Sequence, residues 1–409
     1  MGPRRPLRPK DQILTAALNV LRHPTLRMIA VALLLVGMHN ASLYPYQSLI
    51  AIERIGLSKP VFAMVLVLAS AVAVTASVLM GILGDQRANR RRIALLTAAS
   101  GTTGVALMLL APGPVSFGVT FGVLLPLASS LYGQLFALAR LAAPRDPQSR
   151  DTAFSTIRAG MSLAFLVTLG LWTLGFAAGA DVMAVLWTGG AASLGLVLLV
   201  WLHWPRDGAT AWADQPSGLT LRQSFAEILR PPVLIRMGLI GVAMAPGMLY
   251  MVLISLIFDE SPLRDNRDVA LYVALVAGWE VPFILALPRL MRGFRRSSLI
   301  ALAGLAYTSH VALLPVLSDS PAVWIMPLFA GAGGAALLTL PIAYYQDLMG
   351  ERPGAAASLM ALQKLVSDVA GASIFALGTW WGGYGLTAVI GTVAAVLASV
   401  MLWLIDRRS

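Results

Sequence analysis

Cysteine is absent from this 409-residue sequence, which excludes disulfides, thiolate metal sites and cysteine nucleophiles. Charge is scarce as well. Only 12% of the residues are Asp, Glu, Lys or Arg, about half the ~25% of a water-soluble domain. Apolar residues reach 58% and the mean hydropathy is +0.77, so there is too little polar surface to face water. Most of the chain must be solvated by lipid. Lysine is nearly missing, with Lys10, Lys59 and Lys364 the only three among 30 basic residues. The four histidines, His23, His39, His203 and His310, lie far apart, with no HxxxH or HExxH spacing. No Asp-x-Asp motif and no nucleophile elbow accompanies them. A membrane-embedded glycosyl- or acyltransferase would need such a cluster near an interface. The expectation is therefore no enzyme, no metal and no cofactor.

What is present is a series of long apolar runs, each near the ~20 residues that cross a bilayer. They predict an all-α integral membrane protein of about twelve spans: 26–50, 61–83, 93–111, 115–141, 154–177, 182–203, 233–257, 269–290, 297–316, 322–348, 355–377 and 383–405. Short links such as Ala111-Pro112-Gly113-Pro114 force antiparallel neighbours. The longest polar interval falls near the middle, between Pro205 and Pro232. The expected organisation is a 1–25 tail, a 26–203 six-helix bundle, a 204–232 loop, a 233–405 six-helix bundle and a 406–409 tail. No cleavable signal peptide is expected. Residues Asp11 to His23 read equally as an amphipathic surface helix or a solvated basic tail.

The net charge of +11 comes from basic residues clustered between the apolar runs, a topology signal rather than a nucleic-acid surface. The termini and the 2–3, 4–5, 6–7, 8–9 and 10–11 loops hold 24 of the 30. The opposite loops hold Arg54, Lys59, Arg264 and Arg267 beside Glu53, Asp259, Glu260, Asp265 and Asp268. By the positive-inside rule, both termini and the central loop face the cytoplasm of a bacterial inner membrane.

The halves echo each other at an offset near 206 residues. Arg87, Arg90, Arg91 and Arg92 answer Arg289, Arg292, Arg295 and Arg296, and Arg158 in span 5 answers Lys364 in span 11. Parallel six-helix repeats are the architecture of the major facilitator superfamily. The 2–3 loop, Gly81-Ile82-Leu83-Gly84-Asp85-Gln86-Arg87-Ala88-Asn89-Arg90-Arg91-Arg92, resembles that superfamily's G-x-L-x-D-R-x-G-R-R loop. Gln86 and Ala88 depart from the pattern. A gating role is expected for Gly81, Asp85, Arg87 and Arg90, with Arg140 as ion partner of Asp85. The alternative is that the arginines only set topology.

Ionisable groups inside a bilayer cost about 2.5–3.5 kcal/mol each on insertion scales and usually face a cavity or a partner. Here they are Arg158, Glu280, Lys364 and Asp368. Lys364 and Asp368 are four apart, on one helix face, where they can neutralise each other or serve proton coupling. Glu280, between Trp279 and Pro282, has no local partner. Burial disfavours the charged form of a carboxyl, so Glu280 is the leading candidate for proton coupling or substrate contact, against a pairing with Arg158 or Lys364. Span 1 carries His39, Asn40, Tyr44, Tyr46 and Gln47, span 4 Gln134, and span 9 Tyr307 and His310. Amides beside aromatic rings suit a neutral polyhydroxylated ligand. Equally, amides join helices, and tyrosines near span ends form the interfacial belt.

Two stretches resemble the sugar efflux transporter family: STIRAGMSLAF from Ser155 to Phe165, and LPIAYYQDLMGERPGA from Leu340 to Ala355. That resemblance implies proton-driven export of sugars or glycosides. It adds Arg158, Ser162, Tyr345, Gln346 and Asp347 to the candidates, with Asp347 also in proton coupling. Gly350-Glu351 departs from the family's Pro-Gly. Span 5 lacks the glycine-proline signature of drug antiporters, and span 4 has no mid-membrane arginine. The expected partners are a small-molecule substrate, protons and membrane lipids, without nucleic acid, and the expected state is a monomer. A multidrug or metabolite exporter and a non-transporting homologue remain as alternatives.

Overall fold

The computed structural model describes residues 20–87, 90–142, 147–205, 230–290, 294–349 and 353–407. Among them there are no strands, and twelve long helices follow one another. In the first half, α1 covers Pro24–Arg54, α2 Lys59–Arg87 and α3 Arg90–Leu110. Helix α4 runs from Pro114–Val119 through the π-turn Thr120–Leu124 to Leu125–Ala142, α5 covers Pro147–Ala177 and α6 Val182–His203. In the second half, α7 is Pro231–Glu260, α8 Asn266–Leu290 and α9 Arg296–Leu317. Helix α10 joins Pro321–Ile325 to Met326–Met349, α11 is Pro353–Trp381 and α12 Gly383–Arg407. Eleven of the twelve are long and apolar enough to cross a bilayer. The exception, α8, carries Arg267, Asp268, Glu280 and Arg289 in 25 residues, but it is packed along α5 and α10.

The helices begin where the chain chemistry dictates. Pro24, Pro114, Pro147, Pro231, Pro321 and Pro353 open helical segments, where a missing N–H is harmless. Asp181 and Ser320 accept the backbone N–H of Met183 and Ala322 at 2.8 and 3.2 Å. Most helices run past the apolar stretch that announces them, so α5 starts seven residues before the expected 154. Tight turns at Gly179 and Gly383, with φ of 89° and 78°, link α5 to α6 and α11 to α12 at corresponding points of the two halves.

Within each half, α1 packs on α5 and α6, and α7 on α11 and α12. Glycine sets the closest approaches. A Cβ on Gly37 would lie 2.5 Å from the Met161 carbonyl of α5, and one on Gly241 2.7 Å from Val366 of α11. Between the halves, α2 packs on α11 and α5 on α8. On the axis relating the halves, Ser48 of α1 meets Ser255 of α7, with the two hydroxyls 2.9 Å apart. An equivalent-to-equivalent contact is what a two-fold axis produces. Ser48 also donates to the Val252 carbonyl at 2.7 Å.

The face holding the starts of α1 and α7 and the end of α12 is here the terminal face. The 204–232 loop and the 1–25 tail lie mostly outside the described residues.

Candidate functional site

The contacts across the halves are graded along the helices. Ser48 with Ser255, Phe62 against Phe375 at 5.8 Å, and the Lys59 ammonium 4.1 Å over the Tyr384 ring all lie towards the face opposite the termini. Ser70 of α2 donates to Asp368 Oδ2 of α11 at 2.8 Å, near mid-helix. Nearer the terminal face, Arg158 and Ser162 of α5 and Lys364 of α11 are exposed. On a helical wheel the two α5 residues fall roughly 135–175° around from the exposed stripe Leu163, Val167, Leu171 and Leu174. Arg158 and Ser162 thus lie on the part of α5 turned furthest from that stripe, and Lys364 is exposed on α11. Arg158 has no ion-pair partner among the described residues, and Ser162 leans back on its carbonyl at 3.4 Å.

Lys364 and Asp368 form the ion pair their spacing suggests, at 2.7 Å, with Lys364 67% and Asp368 16% exposed. Asp368 Oδ2 receives Ser70 as well, so one carboxylate oxygen joins the local pair to the other half. Glu280 pairs with neither Arg158 nor Lys364, and makes no hydrogen bond with any described residue. It lies within the second half, where Oε1 and the Tyr307 ring edge come within 2.7 and 3.3 Å of the same point above Gly334 of α10. A side chain at 334 would collide with the carboxyl, so a glycine there gives Glu280 its room. Trp279 is 42% exposed.

Beyond Glu280, towards the face opposite the termini, lies a polar cluster sealed inside the second half. His310 of α9 is fully buried, with its ring centroid 4.9 Å from Tyr250, 5.4 Å from Tyr307 and 5.9 Å from Tyr272. The Tyr307 backbone is adjacent, yet neither nitrogen of His310 reaches hydrogen-bonding geometry with a described residue, nor do the hydroxyls of Tyr250 and Tyr272. Buried polar atoms are rarely left without partners, so such a concentration makes this cluster a candidate site. Span 9 announced Tyr307 and His310 in the sequence. Their clustering with Tyr250 and Tyr272 had no local signal, because three helices supply it.

Several other candidates make contacts within one half. His39 donates from Nδ1 to the Gly189 carbonyl of α6 at 3.0 Å, a bond inside the first half. Tyr345 is fully buried and donates to Gln363 at 3.4 Å, while Gln363 turns its amide to Met244. Tyr46 is fully buried against Phe176 rather than at the bilayer edge. Gln134 is 4% exposed and its Oε1 has no described partner. Asn40 and Gln47 are half-buried. Of the gating set, Gly81, Asp85 and Arg87 belong to α2 and Arg140 to α4, but their side chains lie outside the described residues, as do those of Gln346 and Asp347. Arg90 is 8% exposed at the start of α3. The described residues contain no cluster of three His, Asp or Glu that could hold a metal ion.

The profile of the Major Facilitator Superfamily matches residues 30–373. The chain belongs to this superfamily. A Deinococcus radiodurans protein provisionally named a sugar efflux transporter is 28% identical over 395 residues, covering 93% of this chain and 97% of that protein. Among solved structures, the nucleoside transporter NupG superposes with a TM-score of 0.75 at 16% identity, covering 94% of this chain and 99% of that one. A peptide transporter POT in complex with sulfate gives 0.74 at 12% identity, covering 93% and 94%. At such identities these structures speak for the fold alone. A major facilitator chain is a transporter, not an enzyme.

Proposed function

We propose that this major facilitator protein exports sugars or glycoside-like neutral solutes in exchange for protons, by alternate opening of the two halves about their axis. The observation that carries the reading is Glu280, an intramembrane carboxyl with no charged or hydrogen-bonding partner among the described residues. Such a group is expensive in a bilayer unless it is used. From Glu280 through Tyr307, Tyr250 and His310 to Tyr272, groups able to give or take a proton lie next to one another. The substrate class follows the named Deinococcus relative and the exposed Arg158–Ser162 face, which offers hydrogen-bond donors to hydroxyls. Asp368, shared between Lys364 and Ser70, is a second titratable group placed where protonation would loosen a bond between the halves. The terminal face is cytoplasmic in this reading, and the protein works as a monomer.

The test is flux of radiolabelled lactose and a thioglycoside in proteoliposomes under an imposed pH gradient. Gradient-driven flux should fall at least tenfold in Glu280→Gln, while passive exchange persists, since the proton step alone is lost. Flux that stays coupled in Glu280→Gln removes that residue from the coupling role. No sugar flux from a folded native protein, with dye extrusion in its place, would replace the sugar reading with a drug or metabolite exporter.

A further inference from the structure

At the terminal face of the second half, the start of α9 and the end of α12 enclose a recess of about 360 Å³, lined by Arg295, Ser297, Ser298, Trp403 and Arg407. The groups around it share one polarity. Helix α9 is 22 residues long, opens at Arg295 with no side-chain cap, and has no acid in its first turn. Its first N–H groups carry the positive end of the helix dipole into the recess. Ser297 is 95% buried, lines the recess, and its hydroxyl meets no hydrogen-bond acceptor among the described residues. The Arg407 guanidinium lies 5.2 Å over the Trp403 ring. Arg295 donates to the Asp406 carbonyl at 3.4 Å, covering the negative end of α12. The Asp406 carboxylate is itself occupied by Arg236 at 2.9 Å and by the Tyr344 hydroxyl at 2.8 Å. Two guanidiniums, a buried hydroxyl and a free helix start suit a tetrahedral oxyanion.

The first half shows what a closed version looks like. At the offset of 206, Arg90, Arg91 and Arg92 stand where the second half has Arg296, Ser297 and Ser298. Arg91 reaches directly to the Trp201 carbonyl of α6 at 2.6 Å. Two serines in place of two arginines leave space at the second helix start while the flanking charge remains.

We propose that this recess binds a phosphate group, supplied by the headgroup of an anionic lipid. The lipid is favoured by the surroundings. Trp403 is an interfacial residue type, and Met401, Leu404 and Leu302 beside the recess are exposed apolar side chains on which acyl chains can lie. A phosphodiester held there would tie α9 to α12, beside the Asp406 junction that also reaches α7 and α10.

Native mass spectrometry of the full-length protein, titrated with phosphatidylglycerol or phosphatidylcholine, tests this. The double variant Arg295→Ala/Arg407→Ala should lose phosphatidylglycerol adducts about tenfold, with phosphatidylcholine adducts unchanged. Arg27→Ala, a basic residue on the same face of the first half, should change neither. Ser297→Arg decides between a built site and general attraction. It adds positive charge but fills the recess as the first half does, so phosphatidylglycerol binding should drop. Stronger binding in Ser297→Arg, or native binding in the double variant, overturns the proposal. Inorganic phosphate at millimolar concentration distinguishes the sources. If it displaces the lipid with the same dependence on Arg295 and Arg407, the occupant is soluble phosphate and the lipid assignment is wrong.

Discussion

Helices α5 and α11 are counterparts that have diverged at one charge. Both begin at a proline, Pro147 and Pro353, and both place a base eleven positions on, Arg158 and Lys364. Both bases are exposed. Four residues later, α11 supplies Asp368 and α5 supplies Ser162. The α11 base is therefore neutralised within its own helix, and its acid reaches across to Ser70. The α5 base has no ion pair among the described residues. The halves differ in the same direction elsewhere. His310 in α9 corresponds to Gly104 in α3, whose carbonyl simply accepts from Thr120 at 2.8 Å. One half holds the buried cluster of His310, Tyr250, Tyr272 and Tyr307 with Glu280, and the other presents Arg158 and Ser162, exposed and without an ion pair among the described residues. Under the proposed function, the duplicated scaffold would separate coupling chemistry from substrate contact.

Three substitutions sharpen or break this contrast. Asp368→Asn has the largest expected effect. It removes the charged partner of Lys364 while leaving Ser70 an amide oxygen to donate to, and gradient-driven flux should fall about tenfold or more. The stability loss should be only about 1 kcal/mol, because Lys364 is two-thirds exposed and can reach water. Thermal unfolding in detergent, compared with the Lys364→Gln/Asp368→Asn double variant, separates the two effects. A double variant with full coupled flux would show that the pair is structural.

His310→Leu comes next. Replacing a buried, unpaired polar ring by an apolar side chain should leave the melting temperature unchanged or slightly raised. Coupled flux should nonetheless fall several-fold, whereas unaltered flux would reduce the cluster to packing. The smallest effect belongs to Ser162→Asp, which gives α5 the spacing of α11. The new pair should add about 0.3–0.5 kcal/mol. Sugar affinity should weaken while proton coupling persists, which half-saturation concentrations measured at two gradient strengths would reveal. If affinity is untouched, Arg158 is not a substrate contact.

The architecture was legible because its signals are local or periodic. Twelve long helices appear in the structure, eleven of them apolar enough to span, and so does the Lys364–Asp368 pair, which needs only helix geometry. What one chain position says about another helix was not legible. The bond from His39 to the Gly189 carbonyl of α6 has no local signal. Tyr345 stands in a family motif yet meets Gln363 of α11. For Glu280, the sequence correctly shows the lack of a partner on its own helix, but Gly334 and Tyr307, which define its surroundings, come from α10 and α9. Such contacts join residues that no spacing rule connects.

The serine pair on the axis has a practical consequence. Ser48 and Ser255 differ from cysteine by one atom each, and the chain has no thiol of its own. With their hydroxyls 2.9 Å apart, converting both residues would create the sole thiols in the molecule within bonding reach. Oxidation would padlock the face opposite the termini, and a reductant would release it. The conformation closed on that side could then be trapped or freed on demand, without touching any of the residues proposed for substrate or protons.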